Sequence, residues 1–134
     1  MLASTTAGIA ANAMKKGDVL ATARIAGIQA GRHATSLLPM SHPVQVGNVD
    51  VNFTIVDTHI EIEAIVETAD REGIEMEALT AAMVAALTIY DMCKSTDRTM
   101  NIGEVALWEK SGGLADAWRR EGIVADTVSE RPED

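Results

Sequence analysis

An aspartate and a lysine three residues apart, Asp91 and Lys94, close the longest apolar helical pattern in the chain, which runs from Gly73 to Lys94. Met76, Leu79, Met83, Leu87 and Tyr90 recur at three- and four-residue steps, so they share one stripe of a helix, and the stripe leads on to both charges. Burying an unpaired charge is costly, so this pattern must pair Asp91 with Lys94, wet them, or use them. A pocket at the helix end does all three. A lysine beside a carboxylate can move protons and hold a leaving phosphate. Spacing alone favours the plainer use, an ion pair on a helix surface that contributes little.

Other candidates lie earlier and later. Lys16 precedes a Gly17-Asp18 turn and, by itself, reads as a solvated lysine beside a helix start. His42 sits between Pro39 and Pro43, which restrict themselves and the residues before them, so its loop is held rigidly. A lone histidine is ordinarily structural, and this confinement raises the case for a site. Glu75 and Glu77 open the long helix, where negative charge is favourable. Lys110 stands before Ser111-Gly112-Gly113, a loop sequence. Met76, Met83 and Met92 read as core.

The elements that must position these residues follow from periodicity. Residues 1–14 are Ala-rich and read as a helix or the tail of one. Asp18 is placed to N-cap a helix from Val19 to Leu38. Val49, Val51, Phe53 and Ile55 alternate with polar residues, and after Asp57-Thr58 the alternation resumes with Ile60, Ile62, Ala64 and Val66, which predicts an antiparallel hairpin. The long helix follows, then a third strand over Ile102 to Glu109, then a charged surface helix or loose tail. The order is α+β, a ferredoxin-like antiparallel sheet with helices packed on one face. The other face is short of cover, which predicts an oligomer.

A chain of 134 residues, 47% hydrophobic, suits one domain, residues 1–134. The single cysteine, Cys93, excludes an internal disulfide, and the opening Met-Leu-Ala-Ser-Thr-Thr lacks the charge and apolar run of a signal peptide, so a cytoplasmic protein is expected. No run approaches the 18 or more uninterrupted apolar residues of a membrane span. The net charge of −9 argues against general nucleic-acid binding. It leaves room for a small anion, because Lys15, Lys16, Arg24, Arg32 and His33 face only Asp18 in the first third. Phe53 is the one aromatic residue of the predicted hairpin, too few for an RNA-stacking sheet.

Five ordered segments resemble one family: Lys16 to Gly27 (KGDVLATARIAG), Leu38 to Pro43 (LPMSHP), Glu75 to Thr80 (EMEALT), Tyr90 to Lys94 (YDMCK) and Glu109 to Gly113 (EKSGG). Together they are similar to cyclic pyranopterin monophosphate synthase, the molybdenum cofactor biosynthesis protein C family, across residues 15–113. The resemblance implies a lyase that converts (8S)-3′,8-cyclo-7,8-dihydroguanosine 5′-triphosphate, the product of a radical SAM GTP cyclase, to cyclic pyranopterin monophosphate and pyrophosphate. It implies no redox cofactor and no essential metal. It also implies a homohexamer, a trimer of dimers, with active sites where subunits meet. By the same resemblance Lys94 is the acid/base residue with Asp91 its partner, and Lys16 is a second catalytic lysine. His42, Ser41, Glu75, Met76, Glu77 and Lys110 then bind substrate. The chain departs from the family at Ser41, where cysteine is usual, and at Leu114, where lysine is usual. Against the family pattern the chain begins late, and the resemblance implies that most of an N-terminal segment carrying an active-site arginine in relatives is not in this sequence. The rival expectation is a catalytically impaired member that binds a purine nucleotide or aids assembly.

Overall fold

The computed structural model describes residues 1–71, 73–112 and 117–121. Helix α1 (Ala3–Ala10) is short and has no side-chain cap of its own. Helix α2 (Val19–Arg32) begins where the sequence predicts, with the Asp18 carboxylate accepting the Ala21 N–H at 3.0 Å. It stops earlier than expected. The His33 Nδ1–H donates to the Gln29 carbonyl at 2.7 Å, while its backbone N–H donates to the Ala30 carbonyl in a tighter turn. A separate turn, α3 (Ala34–Leu37), follows.

Strands β1 (Val46–Val56) and β2 (His59–Thr68) form the antiparallel hairpin, with Val56 opposite His59 across the Asp57-Thr58 turn. Helix α4 (Glu75–Cys93) then packs beside α2, and both helices lie on one face of the hairpin. The fold is α+β, helices on an antiparallel sheet. Alternation decides which strand residues face inward: Val49 and Val51 are buried against the helices, whereas Asp50, Asn52, Glu63 and Glu67 are exposed on the other face.

The packed face of α4 is not its Met/Leu stripe. Ala81, Ala85 and Ile89 are buried, whereas Met76, Met83 and Leu87 are 42%, 52% and 59% exposed. Small residues win this contact because they let two backbones approach. A Cβ at Gly27 of α2 would stand 2.9 Å from the Ala81 carbonyl oxygen and 3.2 Å from the Ala85 Cβ. The large apolar residues are thereby turned outward, and Asp91 and Lys94 with them. By length and composition α4 could also cross a membrane, but it is the central packing element of this fold.

The expected strand over Ile102 to Glu109 does not form as such. Only Glu109–Lys110 (β3) is laddered, and its partner is Trp118–Arg119 (β4). The reason lies in what the segment would have to bond. Its 102–108 stretch faces the outer edge of β2 across a groove of about 1710 Å³, floored by Ala78, Ala82, Ala86 and Ile89. Among the described residues no strand runs there. The tail expected as a helix or loose end lies largely in residues 122–134, outside the described residues.

Candidate active site

The sequence candidates gather at the two ends of α4. At its C-terminal end the Lys94 Nζ donates to Asp91 Oδ1 at 2.8 Å. From the turn before α2, the Lys16 Nζ reaches the Asp91 backbone carbonyl at 3.2 Å. Lys16, 75 positions before Asp91, is thus brought to the Asp91-Lys94 pair as α2 packs along α4.

The electrostatics follow from this contact. The hydrogen bond from Lys94 holds the Asp91 carboxyl below its ordinary range, reinforced by the Lys94 and Lys16 charges. Reciprocally, the hydrogen bond to Asp91 and its charge raise the Lys94 ammonium above its ordinary value. Asp91 and Lys94 are more than half exposed, so the pair stays solvated and reachable. Cys93 beside them is buried, and that burial pushes its thiol up, with the Asp97 charge adding to the effect. It packs rather than reacts.

At the N-terminal end of α4, Ser41, His42, Glu75, Met76, Glu77 and Lys110 line one small pocket. Its volume is about 270 Å³. All six residues assigned to binding from the sequence meet there. Lys110 and Glu75 form an ion pair, and the Lys110 hydrogen bond is the largest cause of the lowered Glu75 carboxyl. Glu77 is only 3% exposed although it opens onto the pocket. Ser41 donates to the Leu38 carbonyl at 2.8 Å, which turns the loop so that His42 stands exposed beside the acids. Val44 and Gly73 complete the lining without any signal in the sequence that marks them.

The structure does not bring the two clusters together within one chain. From position 75 to position 91 a helix rises about 1.5 Å per residue, which is about 24 Å. The face between them carries the exposed Met83 and Leu87, a poor bed for a polar ligand. Among the described residues no three of His, Cys, Asp and Glu converge as a metal-binding set.

Helices on one face of an antiparallel hairpin, with a Lys-Asp-Lys cluster at one end of the central helix and a carboxylate-histidine pocket at the other, define an α+β protein equipped for acid/base chemistry on a polar ligand. The sequence profile of the MoaC family matches residues 1–113, and the chain belongs to that family. It is 46% identical over 123 residues to the cyclic pyranopterin monophosphate synthase of Thermoanaerobacter sp. (strain X514), covering 90% of this chain and 78% of the relative. The synthase of that name from Desulfitobacterium hafniense is 47% identical over 129 residues, 96% of this chain and 79% of the relative. That from Thermomicrobium roseum is 55% identical over 108 residues, 79% of this chain and 65% of the relative.

Proposed function

We propose that the protein is a cyclic pyranopterin monophosphate synthase of molybdenum cofactor biosynthesis, working as a homo-oligomer whose sites are shared between copies. It converts the cyclised GTP intermediate to cyclic pyranopterin monophosphate and pyrophosphate. The observation that carries this reading is the convergence of Lys16 and Lys94 on Asp91, a proton-handling set open to solvent.

Each group has a task suited to its state. Asp91 stays ionised and keeps Lys94 an ammonium, ready to give a proton during ring opening and to take one back on reclosure. Closure of the cyclic phosphate forms a bond from a sugar oxygen to the α-phosphorus and breaks the bond from that phosphorus to its bridging oxygen. The hydroxyl proton passes to a base, and the electron pair leaves on pyrophosphate. Lys16 and Lys94 offset the charge that accumulates there. Glu75 and Glu77 are fit to accept hydrogen bonds from the amidine-like edge of the base, with His42 and Ser41 beside them and Lys110 available to a phosphate.

Distance supports a shared site. The two clusters lie about 24 Å apart on one α4, and in this reading the N-terminal pocket of one copy and the C-terminal cluster of another flank one substrate. The outward stripe of Met76, Met83 and Leu87, together with Ile25 at 59% exposed, gives a second copy an apolar surface to cover. A hexamer built as a trimer of dimers, in the cytoplasm and downstream of a radical SAM GTP cyclase, is the assembly and setting we assign.

The test supplies the cyclised GTP intermediate to purified protein and quantifies pyrophosphate and the fluorescent oxidised pterin. Equal amounts of both, lost in Lys16→Ala and Lys94→Ala, are expected. Binding without either product would identify instead an impaired member of the family.

A further inference from the structure

Asp97 lies three residues beyond Lys94 and is 2% exposed. Its two carboxylate oxygens accept four hydrogen bonds, and these divide into two pairs. Oδ2 accepts from the backbone N–H of Leu2, the residue before α1, at 2.7 Å and from the hydroxyl of Thr5 in its first turn at 2.8 Å. Oδ1 accepts from the Thr99 N–H at 2.8 Å and its hydroxyl at 2.6 Å, on the loop that leaves α4. The Asp97 N–H donates back to Cys93 at 3.0 Å, closing the last turn of α4. Among the described residues no cation pairs with this carboxylate.

Four bonds of this kind are more than a loop needs. Helix α1 has no side-chain cap of its own, and Asp97 ties down its start from more than 90 residues away, placing negative charge near its N-terminus. The other end of the same carboxylate fixes the turn that follows Lys94. The first residues of α1 are also tied to the hairpin turn, through the Met1 amino group on the Thr58 carbonyl at 2.8 Å and the Thr6 hydroxyl on the Asp57 carbonyl at 2.7 Å. From α1 the chain turns through Asn12, in the left-handed region at φ 53°, and through Gly17 at φ 107°, to present Lys16 to Asp91. Lys16 is long, exposed and held by one hydrogen bond of 3.2 Å, so its position depends on the segment that carries it.

We propose that Asp97 is a positioning residue for the reaction: it locks α1 to the exit of α4 and so fixes Lys16 against the Asp91-Lys94 pair. The four hydrogen bonds all favour its charged form and keep the carboxyl well below the ordinary range, which holds the clamp closed at neutral pH. This inference rests on Lys16, Asp91 and Lys94 being the acid/base set, so its test includes a readout that does not depend on turnover.

The full chain is compared as wild type, Asp97→Asn and Thr5→Val, with Val51→Ala as a variant that loosens the core without touching these bonds. Steady-state kinetics on the cyclised nucleotide are measured with the carboxyl titration of Asp91 by NMR. Asp97→Asn is expected to lower kcat between about 10- and 100-fold, the scale of a small misplacement of a reacting group. Asp91 is expected to titrate at higher pH as the Lys16 charge moves away. Loss of the Asp97 charge alone would move Asp91 the other way, so the sign separates positioning from a direct field effect. Thr5→Val, which removes one α1 bond, is expected to show smaller changes of the same sign, and it decides the matter if Asp97→Asn does not fold. An unchanged or lowered Asp91 titration with unchanged kcat overturns the proposal. So does a loss of kcat in Val51→Ala equal to that in Asp97→Asn. If wild type itself gives no turnover, the functional reading fails, and the Asp91 titration still judges the clamp.

Discussion

Two variants that are each inactive are expected to restore one another. Lys94→Ala removes the acid/base group at the C-terminal end of α4, and His42→Ala removes a binding group at the N-terminal end. Both side chains lie in exposed positions, so neither substitution opens the core. Loss of a positioned general acid/base group lowers turnover about 10²- to 10⁴-fold. A site made from two ends of one α4 would be broken in every copy of the mixture. In a shared site, one copy supplies the Lys94 end and its neighbour the His42 end, and after random reassociation each is intact with a chance of one half. About a quarter of all sites are then whole. The assay dissociates the two variants in mild denaturant, mixes them in equal amounts, removes the denaturant and measures pyrophosphate release. Recovery near a quarter of wild-type turnover is expected, with none when either variant is treated alone. A mixture that stays at the level of the separate variants refutes the reasoning, and with it the inference drawn from the 24 Å that α4 places between the clusters.

Gly27→Ala is expected to destabilise the fold by about 1–3 kcal/mol, because its Cβ would press on the Ala81 carbonyl, and thermal or urea unfolding measures it. Met83→Glu with Leu87→Glu places charge on the outward stripe of α4 and is expected to shift the oligomer towards smaller species in light scattering; an unchanged mass would remove this face from the interface. Asp97 has a depressed folded pKa, so its stabilising contribution is whole above its unfolded value of about 3.9 and is lost as pH falls below it. Acid unfolding should accordingly begin below about pH 4 in wild type and depend less on pH in Asp97→Asn. A Lys16→Ala variant is expected to keep wild-type thermal stability while the Asp91 carboxyl titrates at higher pH, measured by NMR.

Much of this protein is decided locally. The two-residue alternation of Val49 to Val66 about Asp57-Thr58 admits only a hairpin with one apolar face, and Asp18 fixes where α2 begins because it can satisfy a free N–H there. The five ordered segments likewise contain six residues that line the N-terminal pocket, though not Val44 or Gly73, and the three that meet at Asp91. Periodicity could not say which stripe of α4 faces in. Met76, Met83 and Leu87 are the more hydrophobic set, yet the alanines are buried, because Gly27 and Gly31 of α2 allow a backbone approach that large side chains would prevent. A strand pattern over Ile102 to Glu109 could not become a strand without a bonded edge beside it. Asp97, between Thr96 and Arg98 in a loop, carries no local sign that two of its partners lie at the start of α1, more than 90 residues earlier. Side-chain type and spacing already placed Glu75 and Glu77 at the start of one helix and Asp91 and Lys94 at its end; only the tertiary packing brought Lys16 to Asp91 and Ser41, His42 and Lys110 to the glutamates, because those contacts join segments far apart in the chain.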